Sequence, residues 1–217
     1  MPTFSLVHLE FLGWAALWTL GLSAIAFIGG GLVGFAVALA RISPVRGLRW
    51  AAIGYIQIVQ GTPLLILLFL IYFGIAIVGF SEVPALAAAG LGLTIYSSGF
   101  LAEIWRGCIQ SVPKTQWEAA ECLALTPWQR MTRVILPQAA RIATAPTVGF
   151  LVQIVKNTSL ASVVGFVELA QAGKLINNSI FEPFTVFMVV AAIYFAICFP
   201  LSTWSRSLER KLNVGRR

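Results

Sequence analysis

Apolar residues in this chain come in long unbroken runs, not in the short alternating patterns of a soluble domain. Gly13 to Ala40 contains no charged residue, and that is longer than the roughly 20 residues a helix needs to cross a bilayer. It exceeds the core of a signal peptide and further apolar segments follow, so it reads as a retained first span. Ala51 to Phe80 is a second uncharged run, interrupted at Gln60-Gly61-Thr62-Pro63, and Val83 to Ala102 is a third. Pro63 has no N–H to donate and its ring clashes with the preceding turn, so a kinked or interrupted helix is expected there. The fourth run, Ile142 to Val155, is short and stops at Lys156-Asn157-Thr158-Ser159 before Leu160 to Val167 resumes. This pattern predicts a span that reaches partway across, opens into irregular backbone around Asn157, and continues as a short buried helix. Pro183 to Ser205 supplies the last span. The fold class expected is all-α: one polytopic membrane domain over residues 1–217 with about five transmembrane helices.

Charge then orients the spans. An odd number puts the termini on opposite sides, and basic residues collect on the cytoplasmic side. With the N-terminus outside, 13 of the 15 basic residues fall inside, leaving Lys156 and Lys174, while the outer loop Ser81-Glu82 carries none. The C-terminus is then cytoplasmic. The formal charge of +7 does not indicate nucleic acid, because the basic residues form no face or stripe. With 59% hydrophobic and 11% charged residues, the composition is that of a chain dissolved in lipid. Cys108, Cys122, Cys198 and the single histidine, His8, lack metal-ligand spacing, so no metal site is expected.

The largest polar insertion runs from about Gly107 to Arg141, between the third and fourth spans. Thr115 is placed to cap a short helix reaching Leu125, and Thr126 before Pro127 to cap a second. Ala119, Ala120, Leu123 and Ala124 recur at helical spacing and offer one small, apolar face. From structure alone, an interfacial helix lying on the membrane would also account for this segment.

Three blocks, Glu118-Ala119-Ala120, Leu123-Ala124-Leu125 and Val134-Ile135-Leu136-Pro137-Gln138-Ala139, together resemble the EAA loop of ABC importer permeases of the polar amino acid subfamily. The resemblance extends to Gly61-Thr62-Pro63-Leu64-Leu65, to Leu101-Ala102-Glu103-Ile104 with Arg106-Gly107, and to Lys156-Asn157-Thr158-Ser159-Leu160-Ala161-Ser162. It covers the chain from about Gly13 to the C-terminus and implies a type I ABC importer permease fold in a bacterial inner membrane. It also implies a coupling helix, with Glu118, Ala119, Ala120, Leu123 and Ala124, that docks on a separate ATPase. The complex so implied holds two ATPase subunits that bind ATP and Mg, a second permease subunit, identical or similar, and an extracytoplasmic amino-acid-binding protein. This chain itself would bind no cofactor.

Two residues depart from the family pattern: Ala124 stands where glycine is usual, and Gln60 where arginine precedes Gly-Thr-Pro. Gly61, Thr62, Phe150, Asn157, Thr158 and Ser159 are the expected substrate-pathway residues. The hydroxyls and amide of the last three suit the charged ends of a free amino acid, although Asn, Thr and Ser are equally preferred helix caps. Relatives often carry acids at the positions of Phe150 and Asn157. Without them this chain has no carboxylate at either position to select a cationic side chain.

Other function classes fit less well. The chain lacks a Gly-x-x-x-x-Gly-Lys-Ser/Thr run to cradle phosphates. Ser97-Ser98-Gly99 lies in the third span, but a serine protease needs an adjacent base and His8 precedes the first span. No catalytic residue is therefore assigned. An ion-coupled secondary transporter or channel is the main rival; it calls for acidic residues at mid-membrane, and the pattern places Glu168 in the segment after the broken fourth span. Gly30 and Gly34, four apart in the first span, read as a close helix contact.

Overall fold

The computed structural model describes residues 4–77 and 84–214. The Ser81-Glu82 loop and the terminal pair Arg216 and Arg217 therefore lie outside the described residues. Among these, every regular element is helical: α1 (Leu6–Ile42), α2 (Arg46–Gly61), α3 (Leu64–Ile77), α4 (Ala85–Gln110), α5 (Lys114–Cys122), α6 (Pro127–Gln129), α7 (Leu136–Asn157), α8 (Leu169–Ile180) and α9 (Pro183–Val214). A π-helical turn, Arg130–Ile135, joins α6 to α7, and a 3₁₀ segment, Thr158–Val164, follows α7.

Among the described residues, four helical stretches are long and apolar enough to cross a membrane, namely Leu6–Ile42, Ala85–Gln110, Pro127–Val164 and Pro183–Lys211. A fifth candidate is the bent pair α2 and α3, which meet at 105°. Proline sets this corner. It forces the preceding Thr62 into extended backbone, φ −101° and ψ 126°, and its own carbonyl starts the next helix by accepting from the Leu67 N–H at 3.0 Å.

The bundle centres on α1 against α4. A Cβ on Gly30 would sit 2.5 Å from the Ser97 Cβ, and one on Gly34 would sit 2.9 Å from the Ser98 carbonyl oxygen. The small residues thus bring two backbones together, as expected from their spacing. Leu22 and Ala26 of α1 share one core with Leu64 and Leu68 of α3, Leu93 of α4 and Ile154 of α7. A second core joins Leu12 and Ala15 to Leu169 and Ile176 of α8 and Val186 and Val190 of α9.

The fourth span differs from the sequence expectation. The backbone does not open at Asn157: α7 runs through it and tightens directly into the 3₁₀ segment. The polar run stays helical because its hydroxyls bond backward, Thr158 Oγ1 to the Val155 carbonyl at 2.7 Å and Ser159 Oγ to the Lys156 carbonyl at 2.8 Å. The break comes at Gly165, whose φ of +83° is open to glycine and strained for other residues.

Candidate functional site

Between α4 and the fourth span the chain leaves the helices only over Ser111–Thr126, with α5 inside it, so the insertion is shorter than the 107–141 of the sequence pattern. Thr115 is not the cap of α5. Pro113 holds that position, and Thr115 lies within the first turn. Nor does α5 reach Leu125; it ends at Cys122 in a Schellman turn, with the Ala124 N–H donating to Glu121 and the Leu125 N–H to Ala120. Ala124 sits in the left-handed region at φ +53°. The glycine usual there answers a backbone demand, so the expectation that Ala124 lies on a helical packing face is corrected.

Thr126 does cap the next helix. Its Oγ1 accepts from the Gln129 N–H at 3.3 Å while Gln129 Oε1 accepts from the Thr126 N–H at 3.0 Å. This is not a second free helix, because α6 passes through the π turn into α7. The cause is Pro137: its ring crowds the carbonyl four residues back, and a wider turn relieves the clash. Leu136 accordingly donates five residues back, to Met131.

The expected coupling face divides in two. Ala120 is 2% exposed, turned toward the chain's own interior, whereas Glu118, Ala119, Leu123 and Ala124 are exposed. Leu123 and Trp128 stand 74% and 75% in the open. Behind them α5 is braced to the fourth span. Glu121 pairs with Arg130, whose guanidinium carbon lies 5.7 Å from the Trp117 ring, and Gln138 Nε2 donates to Gln116 Oε1 at 3.2 Å. The segment is thus a rigid projection with an apolar tip.

The expected pathway residues fall on two elements. Gly61 and Thr62 form the α2–α3 corner, where Thr62 Oγ1 donates to the Ile58 carbonyl at 2.7 Å. Gln60 donates to the Gly99 carbonyl at 3.3 Å, so the glutamine standing in place of arginine ties α2 to the middle of α4. Phe150 of α7 stacks on Phe100 of α4, centroids 5.6 Å apart, and Phe100 also meets Tyr96. Two turns along α7, Asn157 accepts from Gln153 at 3.0 Å, and its buried Nδ2 has no partner. The Thr158 and Ser159 hydroxyls donate to their own helix, which leaves their oxygens to act as acceptors only. Lys156 faces the other way, toward Tyr194 and Cys198 of α9.

Glu168 went unrecognised in the sequence. It is fully buried. It caps α8, accepting from the N–H groups of Ala170 and Gln171 at 2.8 Å each and from the Tyr194 hydroxyl at 2.7 Å. Beside it Thr19 of α1 accepts from the Leu169 N–H at 3.1 Å. The sequence signal was an acid directly ahead of a helical apolar run; glutamate is an uncommon cap, which hid it.

A family profile described as "Binding-protein-dependent transport system inner membrane component" matches residues 30–214. The Bacillus subtilis (strain 168) protein named "Probable amino-acid ABC transporter permease protein YckA" is 40% identical over 194 residues, 89% of this chain and 85% of that protein. The L-cystine transport system permease protein TcyB of the same organism is 36% identical over 197 residues, 90% of this chain and 84% of its own length. One chain of a crystal structure of an amino acid ABC transporter with histidines superposes with a TM-score of 0.89 at 32% identity, covering 97% of this chain and all of that one.

Proposed function

Because the chain belongs to the family of binding-protein-dependent transport system inner membrane components and is the permease component of an amino-acid ABC importer, we propose that it carries a polar amino acid inward by alternating access. The drive comes from a separate pair of ATPase subunits, which bind ATP and Mg and dock on the exposed tip of α5. A second permease subunit completes the pathway, and an extracytoplasmic binding protein delivers the substrate. The membrane is a bacterial inner membrane, with the N-terminus outside and the α5 tip inside.

The observation that carries this reading is the bracing of α5 against the fourth span. Leu123 and Trp128 offer an apolar contact to a partner, while Trp117, Glu121 and Gln116 fasten the helix to the rod that bears Phe150 and Asn157. A partner that displaces the tip therefore displaces the pathway wall. An ion-coupled transporter would instead need a carboxylate free to exchange a cation, and Glu168 already accepts three hydrogen bonds from its own chain. Replacing Leu123 with aspartate tests the proposal. Loss of ATPase stimulation and of uptake, with the complex still inserted, is expected; full coupling in that variant would refute it.

The substrate reading follows from the aromatic pair. With Phe150 held against Phe100, this position presents ring faces and no carboxylate, so the amino acid is neutral or acidic, or a partner permease supplies the acidic ligands. Introducing Phe150→Glu with Asn157→Asp is expected to raise occupancy by cationic amino acids in the purified complex. Arginine binding by the unaltered chain through these two residues alone would overturn it.

A further inference from the structure

Lys156 is a cation at membrane depth. Ser205 Oγ donates to the Ala145 carbonyl at 3.0 Å, which sets the end of α9 where its basic residues begin, at Arg206, level with Ala145 on α7. From Ala145 to Lys156 is about 16 Å of helix at 1.5 Å per residue, half of the roughly 30 Å of hydrocarbon. There the lysine stem is too short to carry its ammonium to a headgroup layer, and a charge facing lipid is costly. Lys156 is nevertheless exposed.

The face around it is not built for lipid. Beyond Pro146, the exposed residues of α7 are Gly149, Gln153 and Lys156, at helical spacing on one side. No large apolar residue of α7 is exposed, whereas α9 exposes Phe184, Phe187, Met188, Phe195 and Phe199. A polar, small-residue stripe at this depth is the wall of an aqueous path.

No carboxylate of the chain answers the ammonium. Lys156 forms no ion pair among the described residues, Glu103 is paired with Arg106, and Glu168 already accepts three hydrogen bonds. A second donor on the same turn is also unanswered. Gln153 Nε2 donates to Asn157 Oδ1 at 3.0 Å, which commits the amide oxygen and leaves Nδ2 buried without a partner. Gln153 lies between Lys156 and Asn157 on the helix surface, so the two unanswered donors flank it.

We propose that Lys156 is the specificity-determining cation of the transport pathway and that the amino acid it selects is acidic, with one carboxylate on the Lys156 ammonium and the other on Asn157 Nδ2. This rests on the amino-acid pathway proposed above and chooses among the substrates left open there. A neutral amino acid brings an ammonium with its carboxylate and leaves Lys156 uncompensated. An acidic one carries the net negative charge that cancels it, through charge-assisted hydrogen bonds.

The test is equilibrium binding of radiolabelled amino acids to the purified membrane complex of permease and ATPase subunits without the binding protein, comparing glutamate and aspartate with glutamine and asparagine. Binding that favours the acids about tenfold is expected, equivalent to about 1.4 kcal/mol. Lys156→Gln should remove the preference and Lys156→Arg should keep it. Asn157→Asp, which sets a carboxylate beside the ammonium, should remove it with Lys156 intact. Equal or tighter binding of the amides by the unaltered complex would overturn the proposal and leave the amino-acid pathway standing. So would dissociation of the permease subunits in Lys156→Gln but not in Lys156→Arg, because Lys156 would then pair with a carboxylate of the partner. Binding of no amino acid at all would overturn the pathway along with it.

Discussion

The backbone N–H of Leu125 donates to the carbonyl of Ala120, closing α5 across a turn in which Ala124 occupies a conformation suited to glycine. A Cβ in that region costs about 1–2 kcal/mol. Ala124→Gly is therefore expected to stabilise the turn by about 1 kcal/mol and to leave transport intact, whereas Ala124→Val should destabilise it. Thermal unfolding of the purified complex, with uptake measured in parallel, checks both.

Ala120 and Leu123 should part company under mutation. Ala120→Leu overpacks a closed contact and is expected to lower stability by about 1–3 kcal/mol. Leu123→Asp lies on the exposed tip and should leave the unfolding midpoint unchanged while abolishing uptake. Equal loss of stability in both would mean that the two residues share one face after all.

At the α1–α4 contact, Gly34→Ala sets a methyl against a carbonyl oxygen, and helix backbone cannot shift as a side chain does. An unfolding penalty of about 1–3 kcal/mol is expected. Gly13→Ala is the control, since a Cβ there meets nothing within 4 Å and alanine is the better helix former. Resistance to denaturing detergent separates the two.

Tyr194→Phe removes one of three hydrogen bonds to Glu168 and should cost about 1.5–3 kcal/mol, the range for bonds to a charged group. Glu168→Ala strands the Tyr194 hydroxyl and two N–H groups together, so it should cost more. The double variant should cost less than the sum of the two, and a strictly additive cycle would separate the residues energetically.

Orientation can be read from a native residue. Cys122 is exposed on α5 while Cys108 and Cys198 are buried. A membrane-impermeant maleimide is expected to spare Cys122 in intact cells and to modify it after permeabilisation; modification in intact cells would reverse the topology.

Much of this architecture was legible because lipid solvation writes itself as uninterrupted apolar runs. The first, third and last spans and the Pro63 corner follow from run length and proline chemistry alone. The Asn157 region misled because Lys156 to Ser159 looks like loop composition, whereas Thr158 and Ser159 satisfy themselves on the carbonyls three residues back. The π turn could not be read either: Pro137 widens the helix without breaking its apolar pattern. Glu168 was hidden since Tyr194, which bonds it, and Thr19, which bonds the neighbouring Leu169, come from helices remote in sequence. Between the third and last spans the residue types predicted short helices, but which of Ala120 and Leu123 turns inward depends on where α5 starts, and that was set by Pro113.

The unbroken stretch from Pro127 to Val164 spans 38 residues, about 57 Å of axis, nearly double the hydrocarbon thickness of a bilayer. A single rod then joins the exposed segment to the aromatic pair with no loop between them. Its compliance is confined to two sites where proline removes a ladder bond, the turn before Pro137 and the helix around Pro146. Under the coupling proposed above, those two points are the hinges at which a displacement of α5 is absorbed before it reaches Phe150.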